Sequence, residues 1–333
     1  MSVPLLHQYY PALSDTLPHL ALGAAPTPLR QISLLPASDT EIWIKDEGVF
    51  GDGGWGGNKV RKLEWLLPDA LRRGRRTILT VGGLGTNWGL ATALYAGAHG
   101  LDTALALVDQ PMDEHVRAQL ERIRNSGATV HFTHTVARTA LSLPWLLARH
   151  RSGTTPPYFL PAGGSSRVGL LGYVEVALEL AAQVADGTMP EPSHIVTAVG
   201  SGGTAAGLAL GLAMAGLRTR VVGVVVNDKL RLDEPGLLRS ARRTERLLRE
   251  RGAQLPESAL TLDRLLLVRD QLGAGYGHAT EPGRLAQQLA HDRAGLELEP
   301  VYTAKAMAAV LDLDRRGALN HGPIVYLHTD GPR

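Results

Sequence analysis

The 333 residues carry 34 basic and 32 acidic side chains, so no net field draws the chain to nucleic acid or to an anionic membrane. A hydrophobic share of 44% suffices for one large core or two modest ones, filled mainly by aliphatic groups because aromatics make up only 5%. A composition without cysteine excludes a disulfide framework, a thiolate zinc site and a cysteine nucleophile, and it permits a reducing compartment.

Near the start, Leu5, Leu6, Tyr9 and Tyr10 follow no basic segment and are interrupted by prolines, so no signal peptide is expected and a cytoplasmic location is. Short apolar strands are predicted at 41–45, 77–81, 103–108, 129–132, 158–160, 194–199, 220–226 and 324–327. Between them, 61–72, 87–99, 112–126, 172–185 and 204–215 place apolar residues three and four apart, as helices packed on a sheet require. Such alternation predicts an α/β protein with mostly parallel sheets. The strands and helices of 77–160 lie between glycine-rich or proline-rich segments at 51–57 and 154–166. A small α/β domain at 59–166, inserted into a larger one formed by 1–58 and 167–333, is therefore expected. The arginine runs Arg72 to Arg76 and Arg239 to Arg251 sit among leucines and alanines at helical spacing and read as solvated helix faces. His131 and His134 on a predicted strand would point to opposite faces, so no metal site is expected of them. The uncharged stretch Ile195 to Leu217 is long enough for a bilayer, but Gly200-Ser201-Gly202-Gly203-Thr204 in its interior points instead to a buried strand, a tight loop and a buried helix.

Two glycine-rich segments follow predicted strands and precede predicted helices, where open α/β sheets bind ligands. One is Gly82-Gly83-Leu84-Gly85-Thr86-Asn87, the other Gly200-Ser201-Gly202-Gly203-Thr204. In the second, glycines let the backbone approach an anion while amides and hydroxyls donate to it, which suits a phosphate. A nucleoside triphosphate loop fails because Gly207 is followed by Leu208 and Ala209 rather than by lysine and a hydroxyl residue. A dinucleotide loop fits less well: Asp228 follows the next strand, yet Gly200, Gly202 and Gly207 lack the fingerprint spacing. A single phosphate monoester on a compact cofactor is the third reading, beside the plain one in which the glycines serve only turns and packing.

The run Gly56-Gly57-Asn58-Lys59-Val60-Arg61-Lys62-Leu63-Glu64, taken alone, fits two exposed lysines on the first turns of a helix. It resembles, however, the GGNKxRKLE segment of fold-type-II pyridoxal phosphate enzymes in the branch of 1-aminocyclopropane-1-carboxylate deaminase and D-cysteine desulfhydrase. The likeness runs from Pro26-Thr27-Pro28-Leu29 and Lys45-Asp46-Glu47 to His328-Thr329. It includes Pro161-Ala162-Gly163-Gly164-Ser165-Ser166, Gly172-Tyr173-Val174-Glu175, the glycine loop at 200–204, Gly275-Tyr276-Gly277 and Pro300-Val301-Tyr302-Thr303-Ala304-Lys305.

That resemblance implies a two-domain, tryptophan synthase β-like fold and a homodimer. It implies that Lys59 holds pyridoxal 5'-phosphate as an internal aldimine and, once displaced by a substrate amine, serves as base or acid at the substrate carbon. A lysine suits both tasks, since its amine forms imines and its pKa falls readily on burial. By the same likeness Asn58 joins the cofactor site, and Gly200, Ser201, Gly202, Gly203 and Thr204 hold the phosphate. Asn87 bonds the ring hydroxyl, Thr86 with nearby amides takes the substrate carboxylate, and Tyr276 and Tyr302 face the substrate. An isolated tyrosine is otherwise a packing residue, and that reading stays open for Tyr276. Thr329 would lie at the pyridine nitrogen, where a hydroxyl leaves the ring unprotonated and the electron sink weaker.

Thr303 stands where deaminases of the branch carry a glutamate, as in desulfhydrase-like members. The implied activity is therefore β-elimination from a small, cysteine-like amino acid, giving sulfide or a related leaving group with pyruvate and ammonia. Ring-opening deamination of the cyclopropane amino acid and β-replacement in specialised metabolism are the alternatives, and a non-catalytic cofactor- or dinucleotide-binding protein is the reading from another class. The chain departs from the family at Leu84-Gly85-Thr86-Asn87-Trp88, where a serine becomes Thr86 and a polar group becomes an indole near the expected substrate position, and at the terminal Asp330-Gly331-Pro332-Arg333.

Overall fold

Short β-branched runs and amphipathic segments resolve into two sheets in the computed structural model, which describes residues 3–34, 40–51, 57–256, 260–319 and 322–331. Gly56 of the lysine run and the terminal Pro332 and Arg333 lie outside the described residues. The strands are β1 (Leu29–Ile32), β2 (Ile42–Asp46), β3 (Thr77–Gly83), β4 (Asp102–Val108), β5 (Thr129–His134), β6 (Tyr158–Leu160), β7 (His194–Val199), β8 (Arg220–Val225), β9 (Leu265–Val268) and β10 (Ile324–His328). Six of them form one sheet in the order β1-β2-β10-β7-β8-β9, and four form the other in the order β5-β4-β3-β6. Among the described residues every strand pairing is parallel except β1 with β2.

The helices are α1 (Leu5–Tyr9), α2 (Lys59–Arg72), α3 (Asn87–Ala98), α4 (Glu114–Asn125), α5 (Val136–Arg149), α6 (Leu171–Ala185), α7 (Gly203–Met214), α8 (Glu234–Glu250), α9 (Glu281–Ala294) and α10 (Thr303–Arg315). They cover both faces of the larger sheet, as a parallel sheet needs. Leucines and valines of α2, α6 and α7 form one core with β7 and β8, and alanines of α9 and α10 form another with β2, β8 and β10. The uncharged stretch beginning at Ile195 is indeed strand β7, a loop and the buried helix α7. No helix among the described residues is long and apolar enough to cross a membrane.

Close helix packing aims α7 at the site. A Cβ on Gly207 would lie 2.6 Å from the Leu170 carbonyl oxygen, and one on Gly211 would lie 2.6 Å from the Ala177 Cβ. Glycine at these two positions lets α7 lie directly against α6, which fixes its N-terminus at the carboxyl end of β7. Helix α2 is held by charge instead. The Arg61 guanidinium donates to Glu47 at 2.8 and 3.1 Å and to Glu179 at 2.8 Å, and the Lys45 ammonium also bonds Glu179. All four side chains are buried. They join α2 to β2, to the turn that follows it and to α6, two residues from Lys59.

Candidate active site

The carboxyl ends of β3, β7 and β10 face a cavity of about 390 Å³. Its walls bring together Asn58, Lys59, Thr86, Asn87, Gly200, Ser201, Gly202, Thr204, Tyr276, Tyr302 and Thr329, from segments far apart in the chain. Gly203 is the one residue of the anticipated set that does not line this wall; its amide turns back to donate to the Ser165 hydroxyl at 3.1 Å.

Lys59 is the first residue of α2, and Asn58 is the N-cap. The lysine side chain is half-buried and lines the cavity. That burial pulls its pKa down to about 8. Only the neutral amine attacks an aldehyde, so condensation of the cofactor-free chain with pyridoxal phosphate speeds up as pH rises through about 8 and then levels. Stopped-flow absorbance against pH checks this expectation; a rise continuing to about 10.4, as for an ordinary lysine, contradicts it.

Lys62 lies one helical turn further on and shares the face of Lys59. Its Nζ donates to the Gly163 carbonyl at 2.9 Å, and a Cβ on Gly203 would stand 3.1 Å from it. Burial, and then the charge of Lys59, pushes its pKa well below the usual lysine value. Lys62 is therefore not half of an exposed surface pair, as the run taken alone suggests. The spacing of three from Lys59 is the signal in the sequence that both enter one site.

Ahead of α7, Gly202 holds φ at +84°, a left-handed conformation in which a side chain would be strained. Gly202, the N-cap, has no side chain to cap this helix; the Gly203 amide is taken by Ser165, and the other amides of the first turn have no intrahelical acceptors. Ser201 and Ser165 share a hydroxyl hydrogen bond of 2.8 Å beside it. Together with Lys62 they form a cradle of donors, positive at the helix end, of the kind that holds a phosphate monoester. The residues present therefore fit pyridoxal phosphate: a desolvated amine at one end of the cavity, a phosphate cradle at another wall.

The loop into α3 forms another wall. The Thr86 hydroxyl accepts from the Gly89 amide at 3.1 Å as the N-cap, which leaves its own proton free to donate. The Gly85 amide, one of those expected to receive a substrate carboxylate, already donates to Gln110 Oε1 at 3.2 Å. Asn87 projects into the cavity with its Oδ1 accepting from Gln119 at 2.7 Å. Neither glutamine stands out in the sequence.

Trp88 lies in the cavity wall. Its indole N–H donates to the Thr80 hydroxyl at 2.8 Å beneath β3, and its ring lies where a Cβ on Gly164 would stand 2.6 Å away. The residue is buried and adds apolar wall to the cavity, and its bond to Thr80 ties that wall to β3.

Tyr302 donates to the Tyr276 hydroxyl at 2.9 Å, and the two rings meet edge to face. Burial raises both pKa values above the ordinary tyrosine range, so both phenols are neutral donors at neutral pH. The Glu299 carboxylate fixes this corner by accepting from the Val301 and Tyr302 amides at 2.7 Å each. Tyr276 is held by the Asp228 carboxylate, which accepts its amide at 3.0 Å. The acid weighed as a ribose ligand thus serves the loop of Tyr276. The Thr303 hydroxyl, for its part, donates to the Glu299 carbonyl at 3.2 Å and accepts the Glu299 amide at 2.6 Å.

Comparison with known proteins agrees with this geometry. Residues 20–330 match the family described as pyridoxal-phosphate dependent enzyme. A D-cysteine desulfhydrase of Klebsiella pneumoniae (strain 342) is 35% identical over 323 residues, covering 94% of each chain. One of Salmonella choleraesuis (strain SC-B67) is 36% identical with the same coverage. The crystal structure of an ACC deaminase homologue superposes with a TM-score of 0.81 at 28% identity, covering 99% of this chain and 95% of that one. A threonine deaminase from T.th., at 22% identity and a TM-score of 0.64, covers 98% of this chain and 97% of its own and shares the fold. With the family matched over nearly the whole chain and its amine and phosphate cradle in place, the chain belongs to the pyridoxal-phosphate dependent enzymes, of fold type II, and pyridoxal phosphate is its cofactor.

Proposed function

We propose that the chain is a lyase that eliminates the β-substituent of a small amino acid, with D-cysteine the leading substrate and sulfide, pyruvate and ammonia the products. The observation that carries this reading is the Tyr302–Tyr276 pair, two neutral phenols at the cavity wall, followed by Thr303 rather than a carboxylate. When bound, pyridoxal phosphate supplies the aldehyde that takes up the substrate amine and the conjugated ring that withdraws electrons from the α-carbon. Lys59, neutral near pH 8, takes the α-proton. Thr86 and the amides at the start of α3 hold the carboxylate, and Gln110 yields the Gly85 amide to it. The phenol pair donates a hydrogen bond to the departing thiolate through the Tyr276 proton, which the Tyr302 hydroxyl leaves free by donating its own to Tyr276. The D-cysteine desulfhydrases among the relatives support this choice.

The ACC deaminase homologue favours a second reading, ring-opening deamination. Purified protein given D- and L-cysteine, cysteate, chloroalanine and the cyclopropane amino acid decides between them: sulfide with pyruvate from D-cysteine supports elimination, and 2-oxobutyrate from the cyclopropane substrate alone supports deamination. Silence with every compound sinks both. In the same assay Tyr302→Phe, which deletes one donor, is expected to lower kcat by about 10²-fold while leaving the visible cofactor band intact.

The homodimer and the cytoplasmic location implied above belong to this proposal, as does the domain division into 1–58 with 167–333 and 59–166. The last is supported by the strands: the four-stranded sheet draws only on Thr77–Leu160.

A further inference from the structure

Helix α4 buries Val116, Gln119, Leu120 and Ile123, an apolar stripe with one amide in it. Gln119 is 0% exposed, so water cannot satisfy its carboxamide and protein partners must. Its oxygen accepts from Arg122 Nη1 at 3.3 Å, and its nitrogen donates to Asn87 Oδ1 at 2.7 Å. A guanidinium can only donate. The Gln119 oxygen therefore has to face Arg122, its NH2 has to face Asn87, and Asn87 has to answer with its oxygen. That leaves the Asn87 NH2 as the group offered to the cavity.

We propose that Gln119 is a positioning residue: it locks the Asn87 amide with its NH2 toward the cavity, so that this site presents a donor, never an acceptor, to the ring oxygen of pyridoxal phosphate. The inference rests on the cofactor-side reading of Asn87. A free asparagine reverses its amide at little cost, and a reversed one would set a carbonyl against an oxygen that carries negative charge. Anchoring the orientation on Arg122, through a residue shielded from solvent, removes that alternative.

The test measures pyridoxal phosphate dissociation and the pH titration of the visible band at about pH 8 for Gln119→Leu and Gln119→Glu, each alone and combined with Asn87→Ala. Leucine suits the apolar stripe and frees the Asn87 amide, whereas glutamate accepts and turns it over. The expected dissociation constants rise from wild type through Gln119→Leu to Gln119→Glu, the last by about 10-fold or more. The titration midpoint of the band moves upward in the same order. With Asn87→Ala present, both substitutions lose their effect on affinity and band, because nothing remains to orient. A wild-type band and affinity in both single variants overturns the proposal, as does an effect that persists in full beside Asn87→Ala. If Asn87→Ala alone changes neither quantity, the cofactor-side reading of Asn87 fails with it. If Asn87→Ala weakens binding while the Gln119 variants do not, only the positioning role falls. Gln119→Leu keeps the test open should the charge of Gln119→Glu prevent folding.

Discussion

Lys59→Ala is expected to remove the visible band of the lysine-bound cofactor and to cut turnover by roughly 10²–10⁴-fold through lost proton transfer alone, with the lost covalent anchor added to that. The reason is local. Lys59 opens α2 at the cavity with its pKa near 8, poised to act as a nucleophile and then as a base. Lys62 is not a substitute, because its Nζ is already committed to the Gly163 carbonyl on the phosphate side of the cavity. Borohydride treatment of the cofactor-loaded wild type, followed by peptide mapping, should fix the label on Lys59. A wild-type band in Lys59→Ala, or a label on Lys62, would overturn the assignment of the two lysines.

How much of this is legible without the structure depends on how far apart the participating residues lie. Lys59 and the loop at 200–204 announce themselves because their chemistry is written in consecutive residues: a lysine at a helix start, glycines at a strand-to-helix turn. The eight predicted strands all exist, since each is a short run rich in β-branched, aliphatic or aromatic residues with breakers nearby. Strand β1 escapes prediction because its centre, Arg30-Gln31, is polar and exposed, as an antiparallel edge allows. Strand β9 is four residues long and falls between charged residues. Helix α5 leaves only Leu146 buried and carries exposed Leu141 and Trp145, so its apolar pattern does not mark an inner face. Within the site, Gln110 and Gln119 act by side-chain bonds to backbone or amide groups 25 and 32 positions away. No local spacing encodes such a contact. Only the lone amide in the stripe of α4 hints that Gln119 has a partner to satisfy.

The cluster that clamps α2 is invisible in the sequence for the same reason, and it supports the second large effect. Lys45, Glu47, Arg61 and Glu179 come from three separate stretches of chain. Burial opposes the Arg61 charge, but Glu47 and then Glu179 more than reverse this, and its pKa ends above the usual value. Burial likewise opposes ionisation of Glu179, yet Arg61 and Lys45 outweigh it and the carboxyl titrates below its ordinary 4.5. The Thr27 amide adds a further donor to Glu179 at 2.6 Å. Glu179→Ala strands two buried cations with the single carboxylate of Glu47, which is expected to cost about 3–5 kcal/mol in urea unfolding at neutral pH. A loss under about 1 kcal/mol, the range of a surface pair, would contradict this account. The pH dependence follows from the direction of the shift. A carboxyl whose folded pKa is depressed lends stability that is fully present above its unfolded value and is lost as pH falls through the folded one. Wild-type stability should therefore drop below about pH 4.5, and Glu179→Gln, which has no proton to bind there, should show a shallower acid limb from a lower plateau. Because Arg61 sits two residues from Lys59, the same variant should loosen the start of α2. Weakened pyridoxal phosphate binding by still-folded Glu179→Gln would show that the clamp serves the lysine as well as the fold.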